Sequence, residues 1–133
     1  MNRLLPSILF SLSLSLCLGC SSTVKVKVRA APTELTPSST LLVVKQSDPV
    51  QFESETYAEI VRAVESADPS VLYTEPLLPG AQVKVKLPRS EDGLAVYLLV
   101  DDPSRTLWRR WFEGGSRRVK LSVDERGLEG GSP

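Results

Sequence analysis

Short runs in which apolar and polar residues strictly alternate recur along this chain, and turn signals interrupt them roughly every ten residues. Alternation with period two puts every second side chain on the same face. That suits a strand buried on one side and defeats a helix. Thr23-Val24-Lys25-Val26-Lys27-Val28-Arg29 is the first such run, and Gln82-Val83-Lys84-Val85-Lys86-Leu87 is another, with Val83, Val85 and Leu87 inward. Val119, Leu121 and Val123 alternate on a last one. Two segments are apolar throughout: Leu41-Leu42-Val43-Val44 predicts a well-buried strand, and Leu94 to Val100 predicts the central one. Ser70 to Thr74, stopped by Pro76, and Leu107 to Phe112, with Trp108 and Trp111, complete the set. Pro79-Gly80, Glu91-Asp92-Gly93, Asp101-Asp102-Pro103-Ser104 and Gly114-Gly115 supply the turns.

One segment has a different period. Tyr57, Ile60, Val61 and Val64 fall at i, i+3, i+4 and i+7, which gathers them on one helical face. Ser54 is placed to cap that helix, and Phe52 to pack back over its first turn. Tyr57 and its neighbours are expected to pack the helix onto a sheet. About seven or eight short strands with one helix inserted early indicate an all-β fold, a β-sandwich over residues 23–123. Residues 124–133 are expected to form a loose tail. Loops at the ends of so small a sandwich are its natural binding surfaces.

The N-terminus carries a targeting signal. Arg3 is followed by an apolar stretch from Leu4 to Leu18 and then by Leu18-Gly19-Cys20-Ser21. A small residue before a cysteine at the end of such a run marks a bacterial lipoprotein signal over residues 1–19. The run is too short for a membrane span. Cleavage before Cys20 would leave its thiol to carry lipid, with residues 20–22 as the anchor. The alternative is an ordinary secretory signal in which Cys20 is incidental. Cys17 is a poor second lipid site because bulky Leu16 precedes it. Ser21, where an aspartate would favour inner-membrane retention, favours the outer membrane.

Composition narrows the chemistry. The sequence has no histidine, and its two cysteines are Cys17, in the signal, and Cys20. The mature chain then has no Ser-His or Cys-His pair, no thiol metal site and no disulfide. No enzyme, cofactor or metal is expected. Sixteen basic and sixteen acidic residues balance, so overall charge does not point to nucleic acid. Asp101 and Asp102 are adjacent carboxylates, a pairing that serves glycoside hydrolysis or calcium, but Asp-Pro is also an ordinary turn start, which is the favoured reading. Arg105, Arg109, Arg110, Arg117 and Arg118, with Trp108 and Trp111, form a candidate polyanion surface. Consecutive Arg109 and Arg110 should face opposite ways, so solvated strand faces are the favoured reading. Lys25, Lys27, Lys84 and Lys86 read the same way, and lysine on an exposed strand also discourages edge pairing.

The order of these features resembles the type VI secretion system outer-membrane lipoprotein family known as TssJ, SciN or VasD. The matching pieces are Cys20-Ser21-Ser22 before a Val/Lys strand, then Leu42-Val43-Val44-Lys45-Gln46-Ser47, then Phe52-Glu53-Ser54 leading into the helix with Tyr57. Leu78-Pro79-Gly80, the stretch from Leu94 to Trp108-Arg109, and Val119-Lys120-Leu121 follow in order. The resemblance implies a transthyretin-like sandwich with a helical insertion and a role without catalysis. It implies an outer-membrane lipoprotein, facing the periplasm, that binds the periplasmic C-terminal region of the inner-membrane component TssM. The loop between the first two strands contributes to that contact in the family, which maps to Pro32–Ser39 and to Glu34, Leu35 and Thr36 as candidate contacts. The competing expectation is a lipid-anchored sandwich that binds glycan through Trp108 or Trp111.

Overall fold

The structure, a computed structural model, describes residues 23–32 and 40–131. The expected signal (1–19), the anchor (20–22) and the loop residues Glu34, Leu35 and Thr36 lie outside the described residues. Strands β1 (Thr23–Ala30), β4 (Gln82–Pro88), β7 (Arg118–Asp124) and β8 (Gly127–Gly131) form one sheet in the order β4-β1-β7-β8. Strands β2 (Leu41–Gln46), β3 (Val71–Pro76), β5 (Leu94–Leu99) and β6 (Arg109–Phe112) form the second, in the order β3-β2-β5-β6. Among the described strands the pairings are antiparallel except β1 with β7, which run parallel from Lys25↔Arg118 to Ala30↔Val123; an isolated bridge, Leu107↔Gly127, is also parallel.

The alternating strands face the sandwich core from the first sheet. Val24, Val26 and Val28 of β1, Val83 and Leu87 of β4, and Val119, Leu121 and Val123 of β7 meet Leu42, Val44, Leu94, Val96 and Leu98 of the second sheet. Val85, the middle inward residue of β4, is only half-buried. Burying each of the large aliphatic side chains contributes about 1.5–3 kcal/mol.

The apolar strands are explained by a third layer. Helices α1 (Pro49–Ser54) and α2 (Tyr57–Glu65) cover the outer face of the second sheet. Ile60, with Phe52, Tyr57, Val61 and Val64 around it, packs on Val43, Ala95, Tyr97 and Leu99. Strand β5 is therefore buried at every position, since it meets the sandwich core on one face and the helices on the other. The central position expected for it holds.

Two expectations need correction. Ser54 does not cap the helix: it ends α1, and its hydroxyl donates to the Gln51 carbonyl at 3.1 Å. Asp48 caps α1 and Thr56 caps α2, the latter in a reciprocal capping box with Glu59. The single expected helix is broken at Glu55, whose extended backbone turns its carboxylate inward. Nor do residues 124–131 of the expected loose tail 124–133 hang free, since Gly127–Gly131 pairs along β7 with Leu128 buried in the core.

The inward turn of Glu55 serves Lys45. Alternation along β2 aims Lys45 at the helix layer, at a register shift between β2 and β3, and it is 2 % exposed. Its ammonium lies 2.9 Å from Glu55 Oε2. The contact is an ion pair that lacks directed hydrogen-bond geometry. Tyr97 Oη donates to the other carboxylate oxygen at 3.1 Å. Burial first, and then the Glu55 charge, raise the Tyr97 phenol well above its ordinary pKa, so it stays protonated as a donor.

Breaking this pair from one side leaves a buried cation. Glu55→Gln is expected to lower unfolding free energy by about 3 kcal/mol in urea titration, and Lys45→Met added to it should recover most of that loss. An equal or greater loss in the double variant would show that the pair itself, not the orphaned charge, carries the stability. Thr56→Ala is expected to cost about 1 kcal/mol. The Thr56 backbone N–H, followed by its hydroxyl, holds the Glu59 carboxyl below its ordinary pKa. The stability this contributes is present at neutral pH and lost as pH falls through the lowered value, so the gap between wild type and Thr56→Ala should shrink in acid.

Candidate anchoring and partner-binding ends

The register sorts the connections into two groups. Thr23 opposes Pro88 at one end of β1, and Arg29 opposes Gln82 toward the other. The described chain begins at the first end with Thr23, three residues after Cys20 in the sequence. The turns after β4 and after β6 lie at this end, because Gln46 pairs Leu94, which pairs Phe112. The connection from β1 to β2 leaves at the opposite end, about 23 Å away along a strand of this length. It crosses from one sheet to the other. Ala31 N donates to the Val123 carbonyl at 2.8 Å on the first sheet, and Leu77 N donates to the Thr40 carbonyl at 2.9 Å on the second.

Three other connections share that end. The β3–β4 turn is held by Gly80 N donating to Ala31 O at 3.0 Å and by Ala81 N donating to Leu78 O at 3.0 Å. Gly80 has φ +78°, which with Pro79 before it makes a type II turn. The β5–β6 connection contains a 3₁₀ turn, Pro103–Arg105, capped by the Asp102 carboxylate accepting from Ser104 N and Oγ at 3.3 and 2.6 Å. The Ser104 hydroxyl is the main cause that holds Asp102 below its ordinary pKa. Asp102 therefore builds the turn, as favoured from the sequence. The β7–β8 turn is the last of the group.

Two large apolar side chains stand exposed at this end, and sequence reasoning missed both. Leu78 is 59 % exposed and Leu107 58 %. The turn after β3 displays Leu78 beside one edge of the sandwich. Leu107 sits beside the other edge, where its N–H donates to Arg126 O at 2.8 Å and its carbonyl accepts from Leu128 N at 2.9 Å. That close approach requires Gly127, at φ +112°, because a Cβ there would lie 2.4 Å from the Leu107 oxygen. Leu107 was expected inside a strand. Only the fold reveals that its backbone is used twice while its side chain stays in solvent.

The arginine and tryptophan cluster does not come together as one surface. Arg109 turns toward the helices, where its Nη1 donates to Phe52 O at 2.8 Å and its Cζ lies 4.7 Å from the Phe52 ring centroid. Arg110 is exposed on its strand, while Arg118 opens β7 of the other sheet and Arg117 stands just before it. Trp108 packs edge-on against Tyr57 with centroids 5.0 Å apart and stacks on Tyr97 at 5.7 Å. Tyr57 in turn donates its hydroxyl to Val100 O at 2.6 Å, and burial raises its pKa despite that bond. Trp111 Nε1 donates to Ser47 O at 2.8 Å, with its indole against Gly93, where a Cβ would intrude to 2.5 Å. Both indoles are half-buried and fully engaged in fastening β6 and the helices to the second sheet. They do not form an open platform for a sugar ring.

The architecture is thus that of a small β-sandwich with a helical layer on one outer face and its connecting loops gathered opposite the N-terminal entry. A family model for IglE, N-terminal domain, matches residues 41–123, and the chain belongs to that family. No curated protein matches its sequence. Among solved structures it is similar to the T6SS lipoprotein TssJ1 from Pseudomonas aeruginosa, with 18 % identity, TM-score 0.59, and coverage of 85 % of this chain and 97 % of the other. It is similar to a chain of a type VI membrane complex at 19 % identity and TM-score 0.64, covering 82 % and 97 %. A structure of the T6SS protein TssM C-terminal domain (869–1107) from EAEC is similar at 18 % identity and TM-score 0.59, covering 80 % and 95 %. These likenesses establish the shared β-sandwich fold.

Because Leu78 and Leu107 stand in solvent, replacing both by serine is expected to change unfolding free energy by less than about 1 kcal/mol. A larger loss in thermal or urea unfolding would mean that they pack within the domain.

Proposed function

We propose that this chain is a lipid-anchored, non-catalytic component of a type VI secretion membrane complex. It would sit in the outer membrane through acyl chains on Cys20, with its domain facing the periplasm, and bind the periplasmic C-terminal region of TssM. The observation that carries the reading is the separation of the two ends of β1. The described chain begins at Thr23, three residues after Cys20, at one end, while the segment containing Glu34, Leu35 and Thr36 follows the other end, which also displays Leu78 and Leu107. Lipid insertion at the entry does not obstruct a partner at the loops. Membership of the IglE N-terminal domain family and the fold shared with TssJ1 support the same assignment.

The physical demands of an anchor agree with the chain. Several acyl chains on one residue hold a domain firmly, since each buried CH₂ contributes about 0.8 kcal/mol. A load on the loops passes to the anchor along β1, which is bonded to β4 on one side and to β7 on the other. The half-buried, partnered indoles disfavour the glycan-binding alternative.

Cys20→Ala is expected to abolish palmitate labelling of the protein and to stop secretion by the system, while the domain stays folded. Normal secretion by that variant would overturn the anchor reading. The Leu78→Ser/Leu107→Ser variant should keep its lipid but capture the TssM periplasmic region at least about tenfold more weakly, as expected when central apolar contacts are lost. Undiminished capture would remove these leucines from the contact.

A further inference from the structure

The outer face of the first sheet carries a concentration of positive charge. Lys86, Lys25 and Arg118 stand in one row across β4, β1 and β7, and Lys84, Lys27 and Lys120 stand in the next. Arg29 follows on β1, in a row with Gln82, Ser122 and Glu129. All of these cations are exposed except Lys27, which is half-buried between its neighbours. The two rows border a shallow groove of about 450 Å³. The sequence contains six lysines, and the one absent from this face is the buried Lys45. Among the described residues no carboxylate forms an ion pair with any of these cations.

Edge protection accounts for Lys84 and Lys86 of the edge strand β4 but not for the rest of the pattern. Strands β1 and β7 occupy the middle of their sheet, where no edge needs blunting. Stability does not explain it either, because like charges directly opposite one another, as in Lys25↔Lys86 and Lys27↔Lys84, destabilise a sheet. Part of the compensating negative charge lies on the far side of the molecule. Asp48, Glu53, Glu59, Glu65 and Asp68 are exposed on and around the helices, where Arg62 is the main counter-charge. Among the described residues the outer face of the first sheet is thus basic and the helical layer opposite it acidic.

We propose that this basic sheet face docks on anionic phospholipid headgroups of the membrane that holds the Cys20 anchor. The proposal rests on the anchor reading for its choice of occupant. Three residue steps, at most about 11 Å of chain, separate Cys20 from Thr23. The lipid therefore holds the Lys86-Lys25-Arg118 row within reach of the headgroup phosphates, and the acidic helical layer faces away from them. Each basic residue brought to an anionic surface strengthens binding roughly fivefold. The lipid supplies attachment and the face supplies orientation. With the sandwich lying on this face, β1 runs along the membrane and its Ala30 end, with the turns that share it, stays accessible to a partner.

The native lipidated protein can be reconstituted in vesicles of phosphatidylcholine alone or with about one-third phosphatidylglycerol, and its lysines footprinted by acetylation and mass spectrometry. Lys25, Lys27, Lys84, Lys86 and Lys120 are expected to label at least about fivefold more slowly on the anionic vesicles. High salt should abolish the difference. Carbodiimide labelling of Glu53 and Glu65 should be the same on both. Lys84→Gln/Lys86→Gln, at exposed positions, should restore fast labelling of Lys25, Lys27 and Lys120. Equal lysine labelling on the two vesicles overturns the proposal. So does protection that appears only in native membranes and never on anionic vesicles, which would assign the face to an acidic macromolecule. Failure of the anchor reading is separately visible: a chain without lipid would not stay on phosphatidylcholine vesicles, yet would still sediment with anionic ones through this face.

Discussion

The buried contact between Lys45 and Glu55 determines how the third layer is attached. A lysine 2 % exposed is tolerable only if its charge is met, and Glu55 meets it from the break between the two helices. The constraint works in both directions. Glu55 must leave helical geometry to reach Lys45, so α1 ends and α2 begins anew with Thr56 as its cap. Tyr97 and Arg109 bind the same junction, through the Glu55 carboxylate and the Phe52 carbonyl respectively. The aromatic cluster of Phe52, Tyr57, Tyr97 and Trp108 then closes over it.

That attachment decides which faces of the sandwich are available. The helices occupy the outer face of the second sheet and turn Trp108 and Trp111 into packing groups. The outer face of the first sheet is left bare, and there the lysines of three strands collect. The loops gather at the end of β1 remote from Cys20. The proposed attachment, orientation and partner contact therefore fall on separate parts of one small domain, so that each can be altered without unfolding the rest.

Much of the fold was legible along the chain. Period-two alternation located β1, β4 and β7, and continuous apolar runs located β2 and β5, because a buried face must be apolar wherever it lies. The helix face of Tyr57, Ile60, Val61 and Val64 was legible for the same reason. The strand at Gly127–Gly131 was not, since three of its five residues are glycine and its pairing comes wholly from the backbone. The helix break was hidden because Ser54 and Thr56 are both acceptable caps, and only the distant Lys45 selects between them. Cys20 and the residues Glu34, Leu35 and Thr36 rest on the signal pattern and on family resemblance, whereas Leu78 and Leu107 carry no local sign of exposure.

The sequence by itself determined the all-β class, the strands whose buried face is apolar, the presence of an inserted helical segment and the absence of histidine, because these depend on residue type and local spacing alone. Only the tertiary structure decided which strands lie side by side. The parallel pairing of β1 with β7 joins residues nearly a whole chain apart, and strand order in a sandwich follows from closing two sheets over one core. Through that order Lys25, Lys27, Lys84, Lys86, Arg118 and Lys120, scattered in three separate alternations, become one basic face, because charges on neighbouring strands meet only when register brings them together.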